Sequence, residues 1–335
     1  MKFININTPY FRNINHLNNI KNNINSNIVF NTKVKNNDLV VVVDYIDQEN
    51  PILNHSKNNV ILWDTEIGDI RIFKNEYINQ FGYFLTNKDY RYKNLKTKII
   101  KALTPICFQT WIKDKTKISE ASTSVTIKTK EISLLTTDHF FYATHPYRFR
   151  FVKYLKKIKS SIDIFGFKKL IPMEDGLFNY KYTIVLENTL AKDHWSEKLT
   201  DAMRMKCFIF YYGCENIYDY FDNRSIVKID IKYPEQALKI IKETIKNKAF
   251  ENNLEAIENN YKKATELSLT KYLTDILKKN QIEYQENRSL IFENKLEKVR
   301  TRKKIPWTAL SLKQTYIYIW PKLIKYLKNK IIKKI

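Results

Sequence analysis

The sequence predicts an α/β protein with two parallel sheets covered by helices. Three short apolar runs rich in β-branched residues, DLVVVVDYI (38–46), NNVILWD (58–64) and QFGYFLT (80–86), are typical of buried parallel strands. From Lys128 onward, strand and helix patterns alternate again. A chain of 335 residues with 44% hydrophobic side chains is long enough to bury two cores.

The second half of the chain shows the alternation most clearly. The segments EISLLTT (131–137), PYRFRFVKYLKKIKS (146–160) and SIDIFGF (161–167) predict a strand, a helix and a strand. The same order follows in YKYTIVL (180–186), SEKLTDAMRMK (196–206) and CFIFYYG (207–213). From Pro234 to about Asn280, apolar residues at three- and four-residue spacings predict helices. Residues 87–127 fit neither pattern clearly.

The charge balance suggests an anionic partner. The formal net charge of +23 arises from 58 basic and 35 acidic side chains, which suits nucleic acid, a lipid surface or phosphorylated small molecules. AT-rich coding is the alternative, because it enriches lysine, asparagine, isoleucine and tyrosine together without selection for binding. The basic residues are mainly lysines spread along the chain, and no helix-turn-helix, zinc-finger or RNP-type motif accompanies them, which disfavours a nucleic-acid-binding protein.

Cysteine and histidine spacings argue against a disulfide framework and a zinc site. The three cysteines lack CxxC spacing, and the five histidines lack HxH or HxxxH spacing. The first 25 residues are too rich in asparagine for a signal peptide, and no stretch approaches the roughly 20 apolar residues of a membrane-spanning helix. We therefore expect a cytoplasmic protein of a reducing compartment.

A polar break between a strand and a helix is the first candidate for a ligand site. Glu187 and Asn188 follow the strand at 180–186, and Ser196, Glu197 and Lys198 precede or begin the next helix. In parallel sheets ligands bind at this edge, where helix N-termini present unpaired amides. Ser196 suits the N-cap position, whereas a first-turn lysine opposes the helix dipole unless an anion is near. A phosphate ligand is one interpretation, and a solvated lysine is the other.

These residues also carry a family resemblance. The order YKYTIVLEN, SEK, TDAM and a strand ending in YYG resembles the donor-site signature of the α-1,3/1,4-fucosyltransferases, glycosyltransferase family ten. Upstream, THPYRFRFV resembles the family's H-x-x-R-x-x-F-V helix start, with His145 and Arg148 at the matching positions. The segment NNVILWDTEIG resembles the segment of this family in which a glutamate follows a strand. The resemblance covers roughly residues 58–230, with Ser196, His194 and Ile209 replacing the usual threonine, tyrosine and proline.

The resemblance implies a GT-B fold of two facing Rossmann-like domains. It implies transfer of fucose from GDP-fucose, with inversion, to a glycan acceptor. We accordingly expect an N-terminal acceptor-side domain at residues 1–130, a donor-binding domain at 131–285, and a helical segment with a basic amphipathic tail at 286–335. A glycosyltransferase that uses another nucleotide sugar is the alternative within enzymes, because a hydrophobic pocket discriminates by only about 1–3 kcal/mol for a methyl group.

The resemblance also implies roles for individual residues. Glu66 matches the family's base position and would take the proton from the acceptor hydroxyl. Cations must stabilise the departing diphosphate, and Arg148 and Lys198 are the candidates. The other donor-site candidates are Glu187, Asn188, His194 and Glu197, with His145, Arg150, Ser196 and Tyr211 as secondary ones.

Two alternatives stay open at these positions. The run Asp64-Thr65-Glu66 could be a metal pair or only the polar end of a strand, and Arg150 could bind the phosphate in place of Arg148. The chain has no Asp-x-Asp pair, the arrangement with which many glycosyltransferases hold a divalent cation. We therefore expect that no cofactor is required.

The C-terminal tail mixes aromatic rings with lysines. Residues 322–335, KLIKYLKNKIIKKI, suit an anionic membrane surface, where each lysine contributes on the order of 1 kcal/mol. The alternative is that the aromatic part of residues 311–335 packs on the N-terminal domain. The expected partners are thus a GDP-sugar donor, a glycan acceptor and a membrane surface, and not nucleic acid.

Overall fold

The computed structural model describes two parallel β-sheets with helices around them. It describes residues 4–7, 28–30, 33–35, 38–46, 52, 55–65, 72–88, 92–123, 128–137, 144–166, 171–286 and 292. The predicted tail at 322–335 and the predicted base Glu66 lie outside these residues. No helix in the described ranges is long and apolar enough to cross a membrane.

The first sheet is built from the N-terminal part of the chain. Its strands are β1 (Ile4–Asn7), β2 (Ile28–Phe30), β3 (Leu39–Val43), β4 (Val60–Trp63), β5 (Tyr83–Thr86) and β6 (Lys98–Lys101). They lie in the order β2-β1-β3-β4-β5-β6, and every pair is parallel. All five residues of β3 are buried, as the run LVVVV predicts for a strand covered on both faces.

The second sheet repeats this topology. Its strands are β7 (Lys130–Leu135), β8 (Asp163–Phe165), β9 (Tyr180–Leu186), β10 (Phe208–Tyr212) and β11 (Ile226–Lys228). They are all parallel, in the order β11-β10-β9-β7-β8. The chain therefore runs outward in one direction from β7 to β8 and in the other from β9 to β11. The switch point, the place at which open α/β sheets bind ligands, therefore lies between the neighbouring strands β7 and β9.

The helices of the described residues follow the predicted alternation in the second half. They are α1 (Asn75–Ile78), α2 (Thr116–Thr123), α3 (His145–Lys157), α4 (Glu197–Arg204), α5 (Pro234–Lys246), α6 (Ala249–Asn252), α7 (Leu254–Glu266) and α8 (Leu269–Lys279). Helix α3 connects β7 to β8, and α4 connects β9 to β10. Both helices therefore begin at the carboxyl edge of the second sheet.

One apolar cluster takes side chains from both sheets. It contains Val41 and Trp63 of the first sheet, Val185 and Tyr211 of the second, and Leu273 of α8. Successive strand residues point to opposite faces, so the neighbouring side chains enter two other clusters, one on the outer face of each sheet. The central cluster joins the two halves of the chain.

Helix α8 packs against residues of the first half. The hydroxyl of Tyr272 accepts a hydrogen bond from the Leu103 amide at 2.8 Å. Its ring lies 4.8 Å from that of Phe108 and 6.2 Å from that of Trp63, measured between centroids. Beyond α8, the amide of Gln285 donates to Asn59 at 2.8 Å. The chain therefore crosses back to the first sheet after completing the second.

Helix α4 is fixed to the segment that joins the two sheets. The carboxylate of Asp201 accepts hydrogen bonds from the Thr110 hydroxyl at 2.6 Å and from the Trp111 amide at 2.7 Å. Arg204, one turn later, donates to Asp201 at 2.8 Å and to the Ala264 carbonyl of α7 at 2.9 Å. Because Asp201 and Arg204 are buried and paired with each other and with neighbouring segments, α4 and the residues at its N-terminus have a fixed position.

Candidate active site

The polar break after β9 folds into a closed loop. Glu187 continues the sheet by donating its amide to the Tyr212 carbonyl at 2.8 Å. Its carboxylate accepts hydrogen bonds from the Ser196 amide at 2.9 Å and the Ser196 hydroxyl at 2.7 Å. The Ser196 hydroxyl in turn accepts from the Lys198 amide at 3.4 Å, which confirms the predicted N-cap. The end of β9 and the start of α4 are thereby joined.

Arg148 spans the switch point of the second sheet. Its guanidinium donates to the Asn188 side chain, beyond β9, at 2.6 Å and to the Thr136 hydroxyl, beyond β7, at 2.9 Å. The residue is 5% exposed, and its Nε has no hydrogen-bond partner among the described residues. Burial lowers the pKa of Arg148 to about 10, and the Glu187 carboxylate opposes that fall. Arg148 is therefore a buried cation at neutral pH with an unpaired donor.

The start of α3 also ties the ends of the strands together. Thr144, just before the helix, donates its hydroxyl to the Glu187 carbonyl at 2.8 Å. His145 Nε2 lies 3.2 Å from the Asn188 side-chain oxygen. Pro146 follows in the first turn, where its missing N–H leaves no intrahelical bond unmade. These contacts place Arg148, one turn further on, at the carboxyl ends of the neighbouring strands β7 and β9.

Lys198 and Glu197 form an ion pair at the start of α4. The Lys198 ammonium lies 3.1 Å from the Ser196 hydroxyl and 3.3 Å from the Glu197 carboxylate, and its side chain is 25% exposed. Burial opposes its charge, but the carboxylates of Glu197 and Glu187 outweigh that and raise the pKa of Lys198. Glu197 is 4% exposed, and its Oε2 has no partner within the described ranges. The site therefore offers an unpaired acceptor beside two cations.

The carboxyl edge of the first sheet meets this loop. The Thr104 hydroxyl lies 3.0 Å from His194 Nδ1, and the Asn87 side chain donates to the Asp193 carbonyl at 3.5 Å. Two residues at this edge, Asp64 and Lys88, form an ion pair of 2.7 Å with side chains 0% and 1% exposed. The edges of the two sheets therefore face each other across residues 188–196.

Seven of the eleven predicted site residues form one cluster. His194 lies beside it against Thr104, Arg150 and Tyr211 lie apart from it, and Glu66 lies outside the described residues. The cluster contains His145, Arg148, Glu187, Asn188, Ser196, Glu197 and Lys198. Arg150 is exposed on α3, so the geometry favours Arg148 as the phosphate-binding candidate. Tyr211 lies behind the site, where its buried hydroxyl accepts from the Cys214 amide at 3.0 Å. Asp64 is paired with Lys88, which favours a strand end over a metal pair, although Glu66 lies outside the described residues.

Sequence reasoning missed the uncharged and cationic residues that complete the cluster. Thr136 and Thr144 bind Arg148 and Glu187, and Asn87 and Lys88 lie at the facing edge. The sequence could have pointed to Thr136 and Asn87, because each directly follows a buried strand and so lies at the edge where parallel sheets bind ligands. Nothing in the residue pattern marks Lys88, because its partner Asp64 follows a different strand, β4.

Unfolding at mildly acidic pH should depend on His194. Burial lowers the pKa of His194 to about 3, and the charges of Lys198 and Lys88 act in the same direction. An unfolded histidine has a pKa of about 6.5, so this contribution to stability is complete above that value and is lost as pH falls toward 3. Between pH 7 and pH 5 we expect a loss of about 2 kcal/mol.

Urea unfolding of the wild type and of His194→Gln at pH 7 and pH 5 measures this effect. The variant cannot take up the proton, so its free energy of unfolding should fall by about 2 kcal/mol less than that of the wild type over this interval. Equal falls in both proteins would show that His194 is not the group responsible.

Comparison with solved structures supports the fold. A crystal structure of an α1,3-fucosyltransferase matches with a TM-score of 0.50 and 15% identity, over 85% of this chain and 92% of that one. A crystal structure of an α1,3-fucosyltransferase with GDP-fucose matches with a TM-score of 0.50 and 18% identity, over 86% and 93%. No family model and no curated protein matches the sequence. The fold is α/β of the GT-B type, with two facing Rossmann-like domains, as predicted.

Proposed function

We propose that this protein is an inverting glycosyltransferase that transfers fucose from GDP-fucose to a hydroxyl group of a glycan. The observation that carries the proposal is Arg148, a buried and protonated guanidinium with an unpaired Nε, placed at the switch point of the second sheet. Lys198 adds a second cation at the N-terminus of α4. Two cations beside a helix N-terminus suit a diphosphate.

In the proposed reaction both the cationic side chains and the carboxylates have roles. The acceptor oxygen attacks the anomeric carbon from the side opposite the diphosphate, the bond from that carbon to the phosphate oxygen breaks, and its electrons leave with GDP. Arg148 and Lys198 stabilise the charge that develops on GDP, and no metal ion is needed for this step. The unpaired Oε2 of Glu197 accepts a hydrogen bond from the ribose or the base. Glu66, assigned from the sequence, takes the acceptor proton.

The choice of fucose and GDP draws support from the sequence resemblance and from the likeness to an α1,3-fucosyltransferase with GDP-fucose. The same proposal places the protein in the cytoplasm, with residues 322–335 against an anionic membrane surface. For these residues the support is their composition alone, since they lie outside the described part of the chain.

A thermal-shift titration with GDP, UDP, GDP-fucose and GDP-mannose tests the donor. A ligand that binds only the folded state stabilises it by about 2.7 kcal/mol at a concentration 100 times its Kd. We expect stabilisation by GDP but not by UDP, and the largest shift with GDP-fucose. A larger shift with UDP would favour a different nucleotide sugar as the donor. No shift with any of the four ligands would contradict the proposed function.

A further inference from the structure

Asn87 places an unpaired hydrogen-bond acceptor at the carboxyl edge of the first sheet. It directly follows β5 and is 8% exposed. Its side-chain nitrogen donates to the Asp193 carbonyl at 3.5 Å, whereas its Oδ1 is buried and has no hydrogen-bond partner among the described residues. Burying an oxygen without a donor costs free energy, and such atoms are rare in folded proteins. A donor supplied by a ligand would remove this cost.

The chain on both sides of Asn87 is held in place. The Lys88 ammonium binds the Asp64 carboxylate at 2.7 Å, and both side chains are buried. The Lys88 amide donates to the Thr86 hydroxyl at 3.1 Å, and the Thr86 carbonyl accepts from the Ala102 amide at 3.0 Å. These contacts fix the neighbours of Asn87, and so its backbone, without a ligand. An acceptor positioned in advance binds a ligand at a lower cost in entropy.

The side chain of Asn87 lies against the loop that leads to α4. Asp193, which accepts the hydrogen bond from it, precedes His194 in this loop. The charges of Lys198 and Lys88 both lower the pKa of His194, so the two ammonium groups lie within electrostatic range of its ring. Lys88 directly follows Asn87, and Lys198 lies in the first turn of α4. Asn87 therefore lies across from the N-terminus of α4.

The side chains that would bind the diphosphate lie opposite Asn87. Arg148 Nε and Glu197 Oε2 are further buried polar atoms without a partner in the described ranges. In the proposed function Arg148 and Lys198 bind the diphosphate, and the transferred sugar is bonded to its terminal phosphate. The sugar would extend from these cations, and Asn87 belongs to the sheet edge that faces them. Sugar hydroxyls are hydrogen-bond donors, and an amide oxygen is an acceptor.

We propose that Asn87 is a specificity-determining residue whose Oδ1 accepts a hydrogen bond from a hydroxyl group of the transferred sugar. This inference rests on the proposed function and adds to it a contact from the first sheet to the donor. A site that pairs a buried acceptor with a substrate hydroxyl rejects ligands that lack this hydroxyl, because the acceptor is then left unpaired. Asn87 therefore contributes to the affinity for a nucleotide sugar and not to the affinity for the nucleotide alone.

The ratio of the Kd for GDP to the Kd for GDP-fucose isolates the contact with the sugar. Asn87→Leu removes the acceptor at a similar side-chain size, and we expect this ratio to fall by about three- to tenfold while the Kd for GDP stays within about twofold. Asn87→Asp is the matched control, because it keeps an oxygen acceptor and removes the nitrogen that donates to Asp193. Its added charge acts on both ligands, so we expect its ratio to stay within about twofold of the wild-type ratio. Calorimetric titration measures both constants.

Two results would overturn the inference. If the ratio falls equally in Asn87→Leu and Asn87→Asp, the bond to Asp193 and the position of the loop account for the effect. If the ratio is unchanged in Asn87→Leu, the oxygen does not bind the donor sugar. Should Asn87→Leu fail to fold, Asn87→Ala removes the same acceptor and should lower the ratio in the same way. A wild-type protein that binds neither ligand would contradict the proposed function itself, whereas a wild type that binds both with a ratio unaffected by these variants would contradict this inference alone.

Discussion

Replacing Arg148 with Met is expected to raise the Kd for GDP by about 100-fold, or about 2.7 kcal/mol, and to lower the rate of transfer at least as much. The guanidinium is already desolvated and held by Asn188 and Thr136, so in the proposed function it would bind a diphosphate without reorganising. The rate should fall further than the affinity if negative charge on GDP grows in the transition state. Calorimetric titration with GDP and a transfer assay measure the two effects.

The same helix provides a matched control for this prediction. Arg150→Met makes an identical chemical change two residues further along α3, at a position that is exposed. We expect it to leave the Kd for GDP unchanged within about twofold, since surface substitutions usually have small effects. If the two variants weaken GDP binding equally, the effect is one of overall charge and Arg148 is not a specific phosphate ligand.

The strands that the sequence predicts and those it misses differ in their surroundings. The run that forms β3 is apolar on both faces because it is covered on both faces, so its composition alone identifies it. Strand β1, with the sequence ININ, and strand β6, with KIIK, carry too few apolar residues for that pattern. Their pairing with neighbours that are distant in sequence makes them strands, and a local window does not contain that information.

The same distinction holds within the candidate site. The N-cap at Ser196 was predictable because a cap depends on residues two and three positions away. The bond from Arg148 to Thr136 connects two elements across the switch point, so it becomes visible only once the order of the strands is known. His194 was predicted to bind the donor; its Nδ1 lies against Thr104 of the first half, a contact between residues 90 positions apart. Its role toward the donor stays a prediction.

Gly213→Ala is expected to destabilise the fold and weaken GDP binding together. A Cβ at this position would lie 2.4 Å from the Tyr211 hydroxyl and 2.5 Å from Glu187 Cγ, far inside normal contact distances. Neither neighbour can move freely, because Tyr211 is buried and the Glu187 carboxylate is held by Ser196. Inserting a methyl group into a packed interior typically costs about 1–3 kcal/mol. The glycine that ends the YYG motif thus has a steric role behind the proposed donor site.

Urea unfolding and GDP titration of two glycine variants would separate a local effect on GDP binding from a general loss of stability. In Gly176→Ala the new Cβ would meet Leu135 Cδ2 at 2.7 Å and Cγ at 2.8 Å, and this half-buried side chain can move away as a whole by rotation about its Cα–Cβ bond. We expect a smaller loss of stability there and no change in the Kd for GDP. For Gly213→Ala the displaced Glu187 no longer positions Ser196 and the first turn of α4, so the Kd should rise by more than the loss of folded protein explains. A Gly213→Ala protein that is destabilised yet binds GDP as the wild type does would show that the loop from Glu187 to Ser196 is not part of the donor site.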